Sequence, residues 1–396
     1  MSGTRGSIRP RGDHRWQITY ELQKDASGKR KQGYETVHGT KRDAQRRLNE
    51  ILAEIQAGKY IEPSKLKLAD FLAQWLEFAK ATLEEKTREE YAKIIHTHIN
   101  PNIGNILLFE LRPLHLQKYY NNRYENGRIV KPVKPRKEGE PKPKPKSKGL
   151  SALTVRHHHT LLHKALADAV AWHLIPSNPA DAAKPPKQTK SEMKILNKDE
   201  IKKLLDHARP HNYNIAIVLA ISTGMRRGEI LALRWKDVNL DAKTITVSSS
   251  LQQTDGRRLT IKGTKTGKNR VIPISQKTVD ELMKQKARQA QNKLLLGREY
   301  KVTGLVCSRS DGSMVVPDLL TDAFRIMVSH LDITQIRFHD LRHTHVALLI
   351  AQGEHVKVIS ERLGHSSISI TMDRYGHLFP TLNQSVAEKF DEALGW

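Results

Sequence analysis

Ser222-Thr-Gly-Met-Arg226-Arg-Gly-Glu229-Ile-Leu-Ala-Leu-Arg-Trp235 is the stretch from which the rest of the chain can be read. Thr-Gly breaks one helical pattern, and a new helix starts with Arg226 near its N-terminus. Arg226 and Glu229 are three apart, so they share a helix face and the carboxylate can brace the guanidinium. A guanidinium held in one orientation can make the paired contact that a phosphate oxygen needs. Taken alone, the same spacing also describes an ordinary surface ion pair.

Four more pieces follow in the C-terminal half. Lys265 lies in Gly263-Thr-Lys-Thr-Gly267, at the tip of an expected strand pair. A lysine there can reach into a nucleic-acid groove or give a proton to a leaving oxygen, and Lys262 and Lys268 compete for that place. Phe338-His339-Asp-Leu-Arg342-His343-Thr-His345 again sets two candidates, His339 and Arg342, three residues apart. Arg362-Leu-Gly-His365 comes next, and Thr371-Met-Asp-Arg-Tyr375-Gly-His377 places a tyrosine ten residues after His365.

Two other motifs do not hold up. Gly263 to Asn269 has the outline of a phosphate-binding loop. It has three residues between its glycines where four are needed, and Asn where Ser or Thr would hold Mg²⁺. The run His157-His158-His159 with His163 lies on an amphipathic helix without a neighbouring Cys, Asp or Glu set. Solvated or DNA-facing histidines are therefore expected there, and no metal site.

Composition bounds what such pieces can do. The chain has 396 residues, with Lys plus Arg 67 against Asp plus Glu 42, a formal net charge of +25. A polyanionic partner is the first expectation from that excess, because each phosphate neutralised releases condensed counterions. Hydrophobic residues make up 38%, enough for packed cores beneath a polar surface. The single cysteine, Cys307, excludes an internal disulfide framework and a cysteine-built metal site. No apolar run approaches the ~20 residues that span a bilayer, and Met1 to Pro10 lacks the apolar stretch of a secretory signal. A cytoplasmic protein is expected, with no membrane partner.

The chain divides into regions of different pattern. Trp16-Gln-Ile-Thr-Tyr-Glu-Leu22 alternates like a half-buried strand, Asp25-Ala-Ser-Gly-Lys29 is turn chemistry, and Arg30 to Val37 returns. With the segment before Arg11 this makes a small three-stranded sheet. Thr40 caps a helix from Lys41 to about Ala57, with Ala44, Leu48, Ile51, Leu52 and Ile55 on its apolar face. Residues 1–62 thus form one basic unit. Residues 66–183 are helical, with expected helices near Leu68–Ala79, Glu84–Ile99, Pro113–Tyr124 and Ser151–Leu174. A basic Pro/Lys-rich insertion, 127–149, cannot bury apolar surface and should be an extended loop. Residues 184–194, with Pro185-Pro186, read as a linker. Residues 195–396 form a mixed α/β domain, opened by the capping box Asn197-Lys-Asp-Glu200. Its strands are expected near Thr244–Ser249, Leu259–Lys265 and Arg270–Ile274. The tail Thr381–Leu394 carries Leu382, Val386, Phe390 and Leu394 in a stripe that can pack on its own domain or on a second copy.

The ordered set Thr-Gly-x-Arg-x-Gly-Glu, Lys-Thr-Gly, His-x-x-Arg, Leu-Gly-His and a tyrosine ten residues on resembles the tyrosine site-specific recombinases, most of all phage and conjugative-transposon integrases. The likeness spans about Ile195 to Phe390. The resemblance implies a multidomain, mainly α chain: an arm-type DNA-binding domain, a helical core-binding domain, and a catalytic domain of the tyrosine recombinase type. It implies DNA cleavage and rejoining through a 3′-phosphotyrosyl intermediate at Tyr375, without cofactor, ATP or metal. By the same resemblance Arg226 and Arg342 clamp the non-bridging oxygens and His365 donates to the same phosphate. His339 assists in taking the tyrosine proton, and Lys265 protonates the leaving 5′-oxygen. The implied partners are double-stranded DNA at core and arm attachment sites, three further copies in a homotetramer, and DNA-bending accessory proteins.

Three other readings stay open at this point. A type IB topoisomerase-like enzyme would share the chemistry without exchanging strands, although two N-terminal DNA-binding regions speak against it. A non-catalytic DNA-binding regulator or architectural protein would not need Tyr375. A basic ribonucleoprotein component would not need the ordered motifs.

Overall fold

The computed structural model describes residues 6–22, 31–57, 60–129, 147–188, 193–254, 258–263, 267, 269–378 and 390–395. Two compact units divide the chain, Met1–Thr189 and Lys190–Trp396. Helices dominate both, and a three-stranded antiparallel sheet opens the first, as the sequence pattern predicts. Among the described residues no helix is long and apolar enough to cross a membrane.

In the first unit, β1 (Gly6–Pro10), β2 (Arg15–Glu21) and β3 (Gln32–His38) pair in that order. Strand alternation puts Ile18 and Tyr20 on one face. There α1 (Lys41–Gln56) lays Ala44, Leu48 and Ile51 against them. The Thr40 hydroxyl accepts from the Asp43 N–H, and the Asp43 carboxylate accepts from the Thr40 N–H, which closes the first turn.

A separate core belongs to α2 (Leu68–Phe78), α3 (Glu85–Ile94), α4 (Asn100–Ile103), α5 (Pro113–Asn126) and α6 (Ala152–Ala171). Trp75 is buried within it, and its indole N–H donates to Asp168 at 2.6 Å, joining α2 to α6.

Two details correct the sequence reading. The helix expected over Glu84–Ile99 is α-helical only to Ile94, passes through a π turn at Ile95–Ile99 and continues in α4. Pro101 has no amide hydrogen to give, so the α ladder cannot run through it unbroken. Ile95 and Ile99 both face the core through this turn. The histidine run was expected at the surface or on DNA, yet His158 has no exposed surface and its Nδ1 lies 3.0 Å from the Tyr119 hydroxyl. It sits on the apolar stripe of Val155, Leu161 and Leu162, and packing decides its place. Most of the basic insertion, residues 130–146, lies outside the described residues.

The second unit begins with α7 (Lys198–Ala208), capped by Asn197, then α8 (Asn214–Thr223) and α9 (Arg227–Ala232). Among the described residues five strands follow: β4 (Val238–Asn239), β5 (Thr244–Val247), β6 (Ser249–Gln253), β7 (Leu259–Gly263) and β8 (Arg270–Pro273). They form two antiparallel sheets, β4-β5-β8 and β6-β7. After them come α10 (Gln276–Leu296), α11 (Pro317–Ser329), α12 (Asp340–Ala351), α13 (Val356–Leu363) and α14 (Ile368–Tyr375). The strands near 260 and 272 were expected to pair with each other, but β7 pairs with β6 and β8 with β5. The intervening segment therefore links two sheets. The reason is β6, Ser-Ser-Leu-Gln-Gln, whose single buried side chain, Leu251, leaves little hydrophobic pattern to read.

Gly224 ends α8 in the left-handed conformation (φ +65°), and a Cβ there would stand 2.6 Å from Cδ2 of His345. Gly353 is also left-handed (φ +80°), with nothing within 4 Å of the same position. Gly353→Ala should therefore cost only the backbone strain of about 1–2 kcal/mol. Gly224→Ala should cost more than this, at least about 3 kcal/mol, because it adds a clash in a packed core. Chemical denaturation of both variants measures the difference, and equal losses would contradict the packing described.

Candidate active site

The ends of two helices build the centre of the second unit. An α-helix leaves its last carbonyls without intrahelical partners, and these carry the negative end of the helix dipole. Arg342, on α12 and only 3% exposed, uses them: one terminal nitrogen donates to the Gly224 carbonyl at 2.7 Å, the other to that of Leu363 at 2.9 Å. The second nitrogen also lies 2.9 Å from Nε2 of His365. A guanidinium only donates, so this His365 nitrogen accepts, and Nδ1–H then donates to the Thr371 hydroxyl at 2.8 Å. Burial and the nearby Arg342 and Arg226 push the His365 imidazole down to about 4, so it is neutral at pH 7.

Arg226 caps α9 beside this pair. Its guanidinium donates to Glu229 at 2.9 Å and makes 3.5 Å contacts to the Leu363 and Gly364 carbonyls. Glu229, 4% exposed, also takes two bonds from Arg270, at 3.1 and 2.6 Å. Burial alone would raise its pKa. Arg270 first and Arg226 second more than reverse this and hold the carboxyl below its usual range. Glu229 is thus a shared anionic brace. Arg270 in turn donates to the Arg362 carbonyl at 2.9 Å, which ties β8 to α13.

Tyr375 ends α14 and is 1% exposed, with its hydroxyl 2.7 Å from Nδ1 of His343. Burial raises the phenol pKa, and Arg342 and then Arg374 oppose that. His343 is lowered, first by burial. Arginines, a neutral histidine and a tyrosine thus share one cluster, which can hold a tetrahedral anion beside an oxygen nucleophile.

A family model described as "Phage integrase family" matches residues 194–381, and one described as "Phage integrase, N-terminal SAM-like domain" matches residues 67–123. The chain belongs to the phage integrase family. A tyrosine recombinase XerC-like protein of Caldanaerobacter subterraneus subsp. tengcongensis is 25% identical, over 96% of this chain and 97% of that one. The ICEBs1 integrase of Bacillus subtilis is 29% identical, over 80% of this chain and 89% of its own. Among solved structures, the Tn1549 transposon integrase in complex with circular intermediate DNA covers 82% of this chain and 99% of its own, with a TM-score of 0.65 at 17% identity. A lambda integrase tetramer bound to a Holliday junction covers 91% and 95%, with a TM-score of 0.54 at 18% identity. The fold is that of this integrase family.

Of the six residues singled out in this integrase, the structure joins Arg226, Arg342 and His365 around the α13 C-terminus, with Tyr375 under Arg342's field. Lys265 lies outside the described residues. His339 is exposed at the start of α12, and the residue hydrogen-bonded to Tyr375 is His343, one turn further on. The two imidazoles meet edge to face at 5.2 Å. Sequence reasoning missed His343 and Arg270. The i, i+4 spacing of His339 and His343 was a usable signal for the first. Nothing local marked Arg270, which meets Glu229 from 41 residues away.

His345 supports this site from beneath. Its Nδ1–H donates to the Ile221 carbonyl at 2.7 Å, and Nε2 accepts from Arg362 at 3.2 Å, so a second proton has no place. Burial, then Arg362, pushes it down to about 4 from an unfolded value of 6.5. The unfolded chain binds the extra proton first, so this stabilisation is complete above pH 6.5 and is lost as pH falls through 4. At about 1.4 kcal/mol per tenfold in proton affinity, the contribution is about 3 kcal/mol. His345→Gln should flatten the fall in unfolding free energy between pH 6.5 and 4, and an unchanged slope would contradict the assignment.

Proposed function

We propose that this integrase is a site-specific DNA recombinase that cuts and rejoins strands through a 3′-phosphotyrosyl bond at Tyr375, integrating or excising a mobile element. The observation that carries the reading is the gathering of Arg226, Arg342 and His365 around one helix end, with Tyr375 bonded to His343 on the helix that carries Arg342. Further support comes from the family, from relatives named as integrases, and from a net charge of +25 that suits a DNA partner.

In this reading Arg226 and Arg342 hold the non-bridging oxygens of the scissile phosphate, where charge grows in the five-coordinate transition state. His365 joins them once it carries a proton on Nε2, and the incoming phosphate charge favours that proton. The Tyr375 oxygen attacks phosphorus, the 5′-oxygen leaves with a proton from Lys265, and the tyrosine proton passes to a histidine of α12, His339 by the family resemblance. One phosphodiester is exchanged for another, so rejoining to a different 5′-hydroxyl needs no ATP.

The rest of the chain takes its place around that step. Residues 1–62 would bind arm-type sites, residues 66–183 the core site, with 127–149 as a basic insertion, and 195–396 would carry catalysis beyond the 184–194 linker. Exchange between two duplexes requires four active tyrosines, so a homotetramer on DNA is the working form, helped by DNA-bending proteins. The lambda integrase tetramer on a Holliday junction supports this assembly. Such an enzyme works where prokaryotic DNA lies, in the cytoplasm.

Tyr375→Phe should bind attachment-site DNA with wild-type affinity while covalent capture on a nicked suicide substrate drops by at least about 10³-fold. Capture retained by this variant would refute the nucleophile assignment. Supercoil relaxation without strand exchange by the wild type would favour a topoisomerase-like enzyme instead.

A further inference from the structure

The hydrogen bond on Tyr375 assigns the candidate nucleophile a partner outside the motif set. We propose that His343 is the general base of this site, a further catalytic residue whose Nδ1 takes the hydroxyl proton of Tyr375 during attack. This rests on the reading of Tyr375 as the nucleophile.

Geometry comes first. The 2.7 Å separation is within the range for direct proton transfer, and both side chains are buried, so water does not compete for either atom. His343 is the one hydrogen-bond partner of the Tyr375 hydroxyl among the described residues, and in the tautomer that carries its hydrogen on Nε2 the phenol donates and Nδ1 accepts. The groups facing the ring are His339, Asp340 and Arg342 on α12, Arg337 just before it, and Arg374 beside Tyr375 on α14. Burial and the three arginines keep the resting ring neutral and able to accept. Asp340 pulls the other way and steadies the imidazolium once it forms. Asp340 is itself fixed by the backbone N–H and guanidinium of Arg337. His339 is exposed and one turn away, at the helix start, and makes no comparable bond among the described residues.

The step balances without a co-reactant. The Tyr375 O–H bond breaks and its proton moves to Nδ1 of His343. The phenolic oxygen bonds to phosphorus, and the bond from phosphorus to the 5′-oxygen breaks, with that oxygen protonated by the separate acid, Lys265 in the reading above. On rejoining, the His343 imidazolium returns its proton to Tyr375. A base and an acid on opposite sides of the phosphorus can be separated experimentally, because a 5′-bridging sulfur leaves without a proton and 3,5-difluorotyrosine ionises near neutral pH without a base.

The test measures the rate of covalent capture on a suicide substrate for His343→Gln and His343→Asn, either of which serves if the other fails to fold. DNA affinity and thermal midpoint are followed in parallel. Expected is a loss of about 10²–10⁴-fold, the range of general-base catalysis, with DNA binding intact. A 5′-phosphorothiolate substrate should leave that loss in place, while difluorotyrosine at position 375 should restore at least about tenfold. Lys265→Ala should show the reverse pattern, rescued by sulfur and not by fluorine. Capture at the wild-type rate by the His343 variants would overturn the proposal, as would a loss that difluorotyrosine does not relieve. Failure of the nucleophile reading is recognised separately, since wild-type protein would then form no adduct at Tyr375, and that result would overturn this assignment too.

Discussion

A guanidinium removed from water needs its N–H groups met by the protein, and Arg342 meets them with the ends of two helices. Everything else in the second unit is arranged to let that happen. Gly224 closes α8 in a conformation that turns a free carbonyl toward the cation, and α13 ends where its Leu363 carbonyl serves both Arg342 and Arg226. The same guanidinium fixes the tautomer of His365 and offsets part of the rise that burial gives the Tyr375 phenol. In the proposed reaction, a guanidinium held this firmly would lose little freedom on meeting a phosphate. That economy of reorganisation is what electrostatic catalysis requires.

The charge balance around it is deliberately uneven. Arg226, Arg270 and Arg342 converge with one buried carboxylate, Glu229, to hold them. Without that carboxylate the cations would repel each other, and with two carboxylates a phosphate would be unwelcome. The neutral histidines follow from the same excess of positive charge: His343, His345 and His365 are all pushed below their usual range by burial and nearby arginines. Neutrality makes one of them an acceptor for the tyrosine proton and another a structural strut. It leaves the third ready to gain a proton when DNA brings negative charge.

Much of this was legible in the sequence, and the parts that were not share a cause. The sheet and helix at the N-terminus follow from the alternation around Ile18 and the Thr40 cap. The bundle follows from stripes such as Phe71, Leu72 and Trp75, and the Arg226–Glu229 brace from local spacing. The π turn before Pro101, the burial of His158 and the pairing of polar β6 with β7 depended on tertiary partners that no local pattern specifies. Arg270 reaches Glu229 across 41 residues, which spacing rules do not see. His343 was quoted in its motif but overshadowed by His339, and only the packing of α14 against α12 selects between them.

The central claim is chemical, that one tyrosine of ten carries the broken strand. Trapping the protein on a suicide substrate, digesting the adduct and mapping the nucleotide-linked peptide by mass spectrometry tests it most directly. The account predicts a phosphodiester on the peptide containing Thr371-Met-Asp-Arg-Tyr375, with the modification on Tyr375. An adduct on any other residue, such as Tyr213 or Tyr300, would contradict it.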